Sequence, residues 1–296
     1  TMTAQALPYI SFLGFLFGST LVASRFSVGQ FQPTTYIGLR LTMAGLGHVA
    51  FYALVSRRYR WPTDRRLWLH ASILGVLGTA VPMTSIVTAL QYLSSGLAAI
   101  FITTSPAITV LLAHFFLPDE ALNRRKAFGV ALALSGTIVL ASSGESGLAD
   151  VGKANPVGYI LMLIAMTAGG AAAVYIRKYL SDYSSFDVAS IRMFVAALVV
   201  MPLSALTIGF DLHSVTPGGY VALGYAALVG TFAGLLLAVY NVKRFGATAA
   251  AMTGYIVPIF AGLGGVLLLD EQITAVMLVG VVLIVGGIMI INRNKN

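Results

Sequence analysis

The sequence predicts an all-α polytopic membrane protein, with ten transmembrane helices arranged as an inverted repeat of five plus five. Three observations carry that prediction. First, the 296 residues are 58% hydrophobic and 9% charged, where a soluble domain carries about 25% charged residues. Second, uncharged runs of about 18 residues or more recur along the chain, and the mean hydropathy is +0.88. Third, the chain repeats itself about 152 residues further on. Arg25 and Arg40 return as Arg177 and Arg192, Gly78-Thr79 as Gly230-Thr231, and Pro106 as Pro258. After one residue of slippage Asp119-Glu120 returns as Asp270-Glu271, each followed at the same spacing by two glycines, Gly129 and Gly136 or Gly280 and Gly287. The short, strictly alternating segments of a β-barrel are absent.

Each span follows from where an apolar run begins and stops. Span one, roughly 8–28, carries Gly18-Ser19-Thr20 and closes near Arg25. Span two, roughly 34–55, contains Arg40 and His48 and stops before Arg57, Arg58, Arg60, Arg65 and Arg66. Span three, roughly 67–90, carries Pro82-Met83, and span four, roughly 95–117, is interrupted by Pro106 and stops before Asp119-Glu120. Span five, roughly 126–142, is the shortest and follows Arg124-Arg125-Lys126. Span six, roughly 156–176, carries Gly169-Gly170 and stops at Arg177-Lys178; span seven, roughly 187–208, contains Arg192. Span eight, roughly 217–240, stops before Lys243-Arg244, span nine, roughly 247–269, contains Pro258, and span ten, roughly 273–291, precedes Arg293 and Lys295. At 1.5 Å per residue these lengths match a hydrocarbon core of about 30 Å.

The basic residues collect in the even-numbered loops and the C-terminal tail, while the odd-numbered loops hold Glu145, Asp150, Asp211, Asp270 and Glu271. The positive-inside rule then places both termini in the cytoplasm of a cell (inner) membrane. Residues 1–6 lack a basic side chain, so a cleaved signal peptide is not expected. The repeats are expected to cover residues 7–143 and 155–292. Because each holds five spans, the second enters from the opposite side, which is the inverted arrangement from which alternating-access carriers are built.

Spans four and five read ALQYLSSGLAAIFITTSPAITVLLAHFFLPDEALNRRKAFGVALALSGTIVL. This stretch resembles the EamA domain of the drug/metabolite transporter superfamily: a small-residue helix broken by Pro, an aromatic-Leu-x-acid-Glu stop, and a helix with glycines seven apart. GATAAAMTGYIVPIFAGLGGVLLLDEQITAVMLVGVVLIVGGIMI in the second copy is similar to it, and FLFGSTLVASRF resembles the family's opening motif, with Phe17 where Trp is common. The resemblance implies a membrane transporter, and within the superfamily the chain looks like the ten-helix exporters of amino acids, aromatic ones included, and related metabolites. Thr103 and Ser105 stand where that subgroup has aromatics, and both tryptophans, Trp61 and Trp68, lie in or beside a loop. Those departures point to broader amino-acid selectivity.

The substrate site is expected where the repeat-related prolines kink spans four and nine. A mid-helix Pro removes one hydrogen bond and frees a carbonyl one turn back. Thr103, Ser105 and Pro106 in one copy, with Gly254, Tyr255 and Pro258 in the other, supply hydroxyls, a phenol and carbonyls for a polar zwitterion. Ser19, Gly169 and Met83 are the neighbouring wall candidates, with close helix packing as the competing role of the small residues. Arg40 and Arg192 are candidate vestibule charges, or structural. Tyr175 and Tyr240 are expected at the interface, as are His48 and His114. The acidic pairs fall on opposite sides of the membrane and are expected to cap helices or to pair with Arg124 or Arg125.

No Asp or Glu falls near the middle of a span, which favours a carrier without an obvious proton-coupling carboxylate. The absence of cysteine excludes disulfides and sulfur-bound metal. No HExxH, GxSxG or P-loop motif is present, so neither an enzyme nor a metal or other cofactor is expected. The net charge of +8 lies in membrane-flanking loops rather than in a nucleic-acid face. The expected partners are a small-molecule substrate, amino acids or related metabolites, and the lipid bilayer; a monomer is plausible. The alternatives are a sugar-phosphate or nucleotide-sugar exchanger, a drug efflux carrier of the same superfamily or, more remotely, a channel.

Overall fold

The computed structural model describes residues 2–55, 60–118, 120–151, 153–245 and 252–292. Arg57, Arg58, Asp119, Arg293 and Lys295, and the side chain of Lys243, lie outside the described residues. The described chain is helical throughout. Helices α1 (Met2–Val28), α2 (Pro33–Leu54), α3 (Arg65–Ala89), α4 (Ser95–Phe116) and α5 (Arg124–Ser143) form the first five. The second five are α6 (Pro156–Tyr179), α7 (Ser185–Thr207), α8 (Pro217–Gly224, Tyr225–Ala233 and Gly234–Phe245 in succession), α9 (Thr253–Leu269) and α10 (Ala275–Asn292). Among the described residues nine are long and apolar enough to cross a membrane, and α9 is apolar but shorter at 17 residues. Large apolar side chains such as Leu77, Leu163, Leu206 and Leu267 face outward at 52% exposure or more, as a lipid-facing surface requires.

Polar residues at the span ends fix where the helices begin. The side chains of Asp64, Ser94, Asn123, Asn155, Ser184 and Thr216 each accept a backbone N–H of the helix that follows, satisfying donors that have no partner inside the helix. Gly144 ends α5 at φ 71°, in the left-handed region that glycine enters without penalty.

The two five-helix halves interlock. Helices α5 and α10 run against each other along their glycines: Gly129 meets the Gly287 carbonyl and Gly136 the Gly280 carbonyl. A Cβ at Gly129 would lie 2.6 Å from that oxygen, so the seven-residue glycine spacing serves close helix approach. Helices α2 and α7 form a second self-paired seam, where Thr35 and Ser204 share a hydrogen bond of 2.9 Å and Gly38 packs on Met201. His48 sits in this seam, fully buried rather than interfacial. Its Nδ1 is 3.0 Å from Ser190 Oγ, its ring lies beside Phe186 and Phe232, and its Nε2 has no partner among the described residues. The buried core runs continuously from α2 through α4, α6 and α7 to α10.

Candidate functional site

Helix α4 breaks at Thr104, between segments Ser95–Thr103 and Ser105–Phe116. Pro106 has no N–H to return to Ile102, so the chain tightens instead: Thr104 N–H bonds the Phe101 carbonyl at 2.9 Å and Ala107 N–H the Thr104 carbonyl at 3.0 Å. The hydroxyls around the break are all engaged within the protein. Thr103 Oγ1 donates to the Ala99 carbonyl at 3.0 Å and to the Gly254 carbonyl at 3.2 Å. Thr104 Oγ1 is 3.1 Å from Thr137 Oγ1, and Ser105 Oγ donates to Met166 Sδ at 2.9 Å.

Gly254 stands four residues before Pro258, so its carbonyl is the one that the second proline deprives of a helical donor. The Thr103 hydroxyl of the opposite repeat takes that carbonyl up. Helix α9 itself runs unbroken through Pro258, so the break in α4 is joined directly to the first turn of α9, and the acceptor expected to be free for substrate is shared with Thr103. Both Gly254 and Gly169 front open space, since a Cβ at either meets nothing within 4 Å. Pro106 is exposed. Tyr255 is partly buried and its phenol oxygen accepts from Asn292 Nδ2 at 3.2 Å. Met83 packs partly buried against the core.

The remaining candidates do not join this group. Ser19 bonds the Phe15 carbonyl at 2.6 Å and lies 2.7 Å from Tyr225 Oη, in a cleft of about 810 Å³ between α1, α8 and α9. Pro258 borders a different cavity of about 250 Å³, with Gly96, Ile100, Gly262 and Met277. Tyr175 is partly buried and meets His70 Nδ1 at 2.8 Å, while Tyr240 is 44% exposed, as an interfacial residue should be.

Arg40 and Arg192 are not vestibule charges in this structure. Arg40 is buried, with Nε donating to Thr231 Oγ1 at 2.8 Å and a terminal nitrogen to Ser24 Oγ at 3.1 Å. Arg192 repeats the contact in the other direction, with Nε to Thr79 Oγ1 at 2.8 Å and a terminal nitrogen to the Gly78 carbonyl at 2.7 Å. Each arginine therefore holds the threonine of the opposite repeat's Gly-Thr pair, and Arg192 the glycine carbonyl as well. Those pairs lie in the π-helical segments Val76–Ala80 of α3 and Tyr225–Ala233 of α8. A π-helix widens the turn and re-aims the side chains on it. The repeated Arg and Gly-Thr positions were visible in the sequence; their pairing and the wide turns were not.

Two ion pairs show the same reciprocity. Glu271 is 6% exposed and accepts from Ser95 N–H at 2.8 Å, from Ser95 Oγ at 2.7 Å and from Gly96 N–H at 3.4 Å, with Arg25 Nε at 3.9 Å. It caps the first turn of α4, where a negative charge meets the positive end of the helix. Its repeat mate Glu120 pairs with Lys126 at 3.1 Å and with Arg177; among the described residues no pair with Arg124 or Arg125 forms, and Asp119 lies outside them. Arg177 and Lys126 hold the Glu120 carboxyl below the usual carboxylate range. Arg25 and Arg177 are repeat mates too, so each partners the acid of the opposite repeat. The two ends differ in closure: the Glu120 side chain is 26% exposed and that of Glu271 4%. Around Glu271, moreover, Gly96 packs against the Gly262 backbone.

Comparison with known proteins places this architecture. The EamA-like transporter family matches residues 5–142 and again residues 156–293. The chain is 28% identical to the uncharacterized inner membrane transporter YedA of Escherichia coli K12, over 98% of this chain and 92% of that one. It is 25% identical to an uncharacterized transporter of Archaeoglobus fulgidus, over 94% and 95% of the two chains. A probable amino-acid metabolite efflux pump of Escherichia coli K12 is 25% identical over 66% of this chain and 67% of its own. One solved crystal structure superposes with a TM-score of 0.65 at 20% identity, covering 97% of both chains, which shows the shared fold. These relatives are transporters rather than enzymes, and the double match spans nearly the whole sequence. The chain belongs to the EamA-like transporter family of the drug/metabolite transporter superfamily.

Proposed function

We propose that the chain exports small amino-acid-like metabolites across the inner membrane, by alternating access between repeats 7–143 and 155–292, with both termini cytoplasmic. The observation that carries the mechanism is the unequal burial of the two acids, Glu271 and Glu120. Two repeat-related acids lie beside repeat-related arginines at opposite ends of α4, the Glu271 side chain 4% exposed and that of Glu120 26%. An exchange of those two environments converts one open side into the other, as expected of inverted repeats. The break in α4 and the facing first turn of α9 form the centre of the substrate site, with Thr103, Ser105, Pro106, Gly254 and Tyr255 framing it and Pro258 freeing the Gly254 carbonyl from its own helix. Gly169, Met83 and Ser19 complete its walls in the course of the cycle. The substrate class draws support from the amino-acid metabolite efflux pump among the relatives. The guanidiniums of buried Arg40 and part-buried Arg192 already have protein acceptors and leave less for a phosphate.

The carrier works down the substrate gradient without proton coupling. Among the described residues Glu271 is the buried carboxylate, and it lies beyond the end of α9, bound to α4. Uptake and counterflow of a labelled amino-acid panel in proteoliposomes tests both parts. Saturable flux that persists without a pH gradient is expected. No saturable flux of any amino acid sinks the substrate class, and flux that requires the gradient sinks the uncoupled mechanism.

A further inference from the structure

The outer surface of α3 and α6 carries a groove lined by none of the residues assigned above to the substrate site. Its walls include Ile73, Leu77 and Val81 on α3 with Leu163, Ile164 and Ala171 on α6, and it encloses about 610 Å³. Its floor is recessed because Gly78, in the π-helical turn of α3, rests on Ala172. Along α3, the distance from His70 to Val81 is about 16 Å at 1.5 Å per residue, roughly the depth of one leaflet of a 30 Å core.

At one end the groove changes character. A second hollow of about 240 Å³ shares Ala171 and Tyr175 with it and ends on Lys178 and Tyr179. His70 stacks on the Tyr179 ring at 5.0 Å and meets the Tyr175 phenol, and the Lys178 ammonium lies 5.5 Å over Tyr179. Arg66 stands one turn before His70 on the same face of α3 and is exposed. Among the described residues neither Arg66 nor Lys178 has an acidic partner within ion-pair distance. Both helices therefore present apolar side chains at lipid depth and a cation at the same end.

We propose that this groove binds one anionic phospholipid, with an acyl chain between α3 and α6 and the phosphate headgroup between Arg66 and Lys178. Charge complementarity selects the headgroup: basic pockets between helix ends recruit acidic lipids, each cation contributing about fivefold in affinity. A neutral phospholipid can fill the apolar part but leaves both cations without a counter-charge.

Native mass spectrometry of the purified detergent-solubilised chain tests this, using phosphatidylglycerol and phosphatidylcholine of identical acyl chains. The chain is expected to retain phosphatidylglycerol at a severalfold lower lipid concentration. The doubly substituted Arg66→Gln/Lys178→Gln chain, altered only at exposed side chains, should retain the two lipids equally. Ala171→Phe should fill the groove and lower retention of both. Equal retention of the two lipids by the unaltered chain overturns the proposal, as does undiminished phosphatidylglycerol retention in either variant.

Discussion

Arg40 and Arg192 sit among neutral acceptors, and that makes their threonine partners energetically important. Removal of the Thr79 hydroxyl leaves Arg192 Nε without its acceptor. Loss of a hydrogen bond to a charged group costs about 1.5–3 kcal/mol. Thr79→Val should therefore lower the melting temperature in detergent, as should Arg192→Met. The double substitution should cost less than the sum of the two, because the second change removes the group that the first left unsatisfied. Additive effects in that cycle would show that the pair is not coupled. Glu120 offers a pH readout at the same scale. Its folded pKa lies below the ordinary carboxylate value of about 4.3 because Arg177 and Lys126 favour the charged form. A group shifted that way adds stability above its unfolded pKa and loses it as the pH falls through the folded one. The melting temperatures of the unaltered chain and Glu120→Gln should differ at pH 7 and converge as the pH falls through the lowered folded value, below about 4.3. A gap that persists in acid excludes this linkage.

At the scale of helices, the repeated glycines divide into those that bear a contact and those that do not. Gly129 and Gly287 each face the other's backbone carbonyl, which cannot rotate away as a side chain can. Gly129→Ala should thus separate α5 from α10 and cost about 1–3 kcal/mol, the range for overpacking. Gly286→Ala is the matched control, because a Cβ there lies 3.9 Å from Leu132 and meets ordinary contact. Unfolding of the two variants side by side should show destabilisation at position 129 and little change at 286; equal behaviour removes the close-approach explanation. The same scale explains what was legible before the structure. Hydropathy runs and loop charge placed the spans, nine of which are long enough to cross a membrane among the described residues, because each depends on neighbours close in sequence. The π-helical turns in α3 and α8 were not legible, because an extra residue per turn leaves hydropathy unchanged and is held by an arginine from the other half.

For the whole molecule, the two acids predict opposite effects on which side is open. The chain contains no cysteine, so a single introduced thiol reports without background. A thiol at Gly169, which fronts open space, can be labelled by membrane-impermeant reagents from either face of oriented vesicles. Glu271→Gln or Arg25→Gln should increase labelling from the Glu271 side, and Glu120→Gln should decrease it. Labelling from both sides that none of these changes moves would remove the two acids from the cycle while leaving alternation intact. Labelling from one side only, in a chain that transports, would remove alternation itself.

The sequence alone determined the bilayer as solvent, the order of the helices and the duplication. Each of those is written in composition, period and charge, which local chemistry sets. It also singled out the residues that recur: two arginines per half, the Gly-Thr pair, the proline and the acid. Only the tertiary structure decided what the recurring residues touch. Arg40 reaches Thr231, Arg192 reaches Thr79, Arg25 lies beside Glu271, Arg177 pairs with Glu120, and the carbonyl freed by Pro258 goes to Thr103. Every one of these contacts joins the two halves. A repeat read along the chain shows equivalence within it, whereas the partner of a buried polar group is whichever acceptor the folded halves bring within about 3 Å.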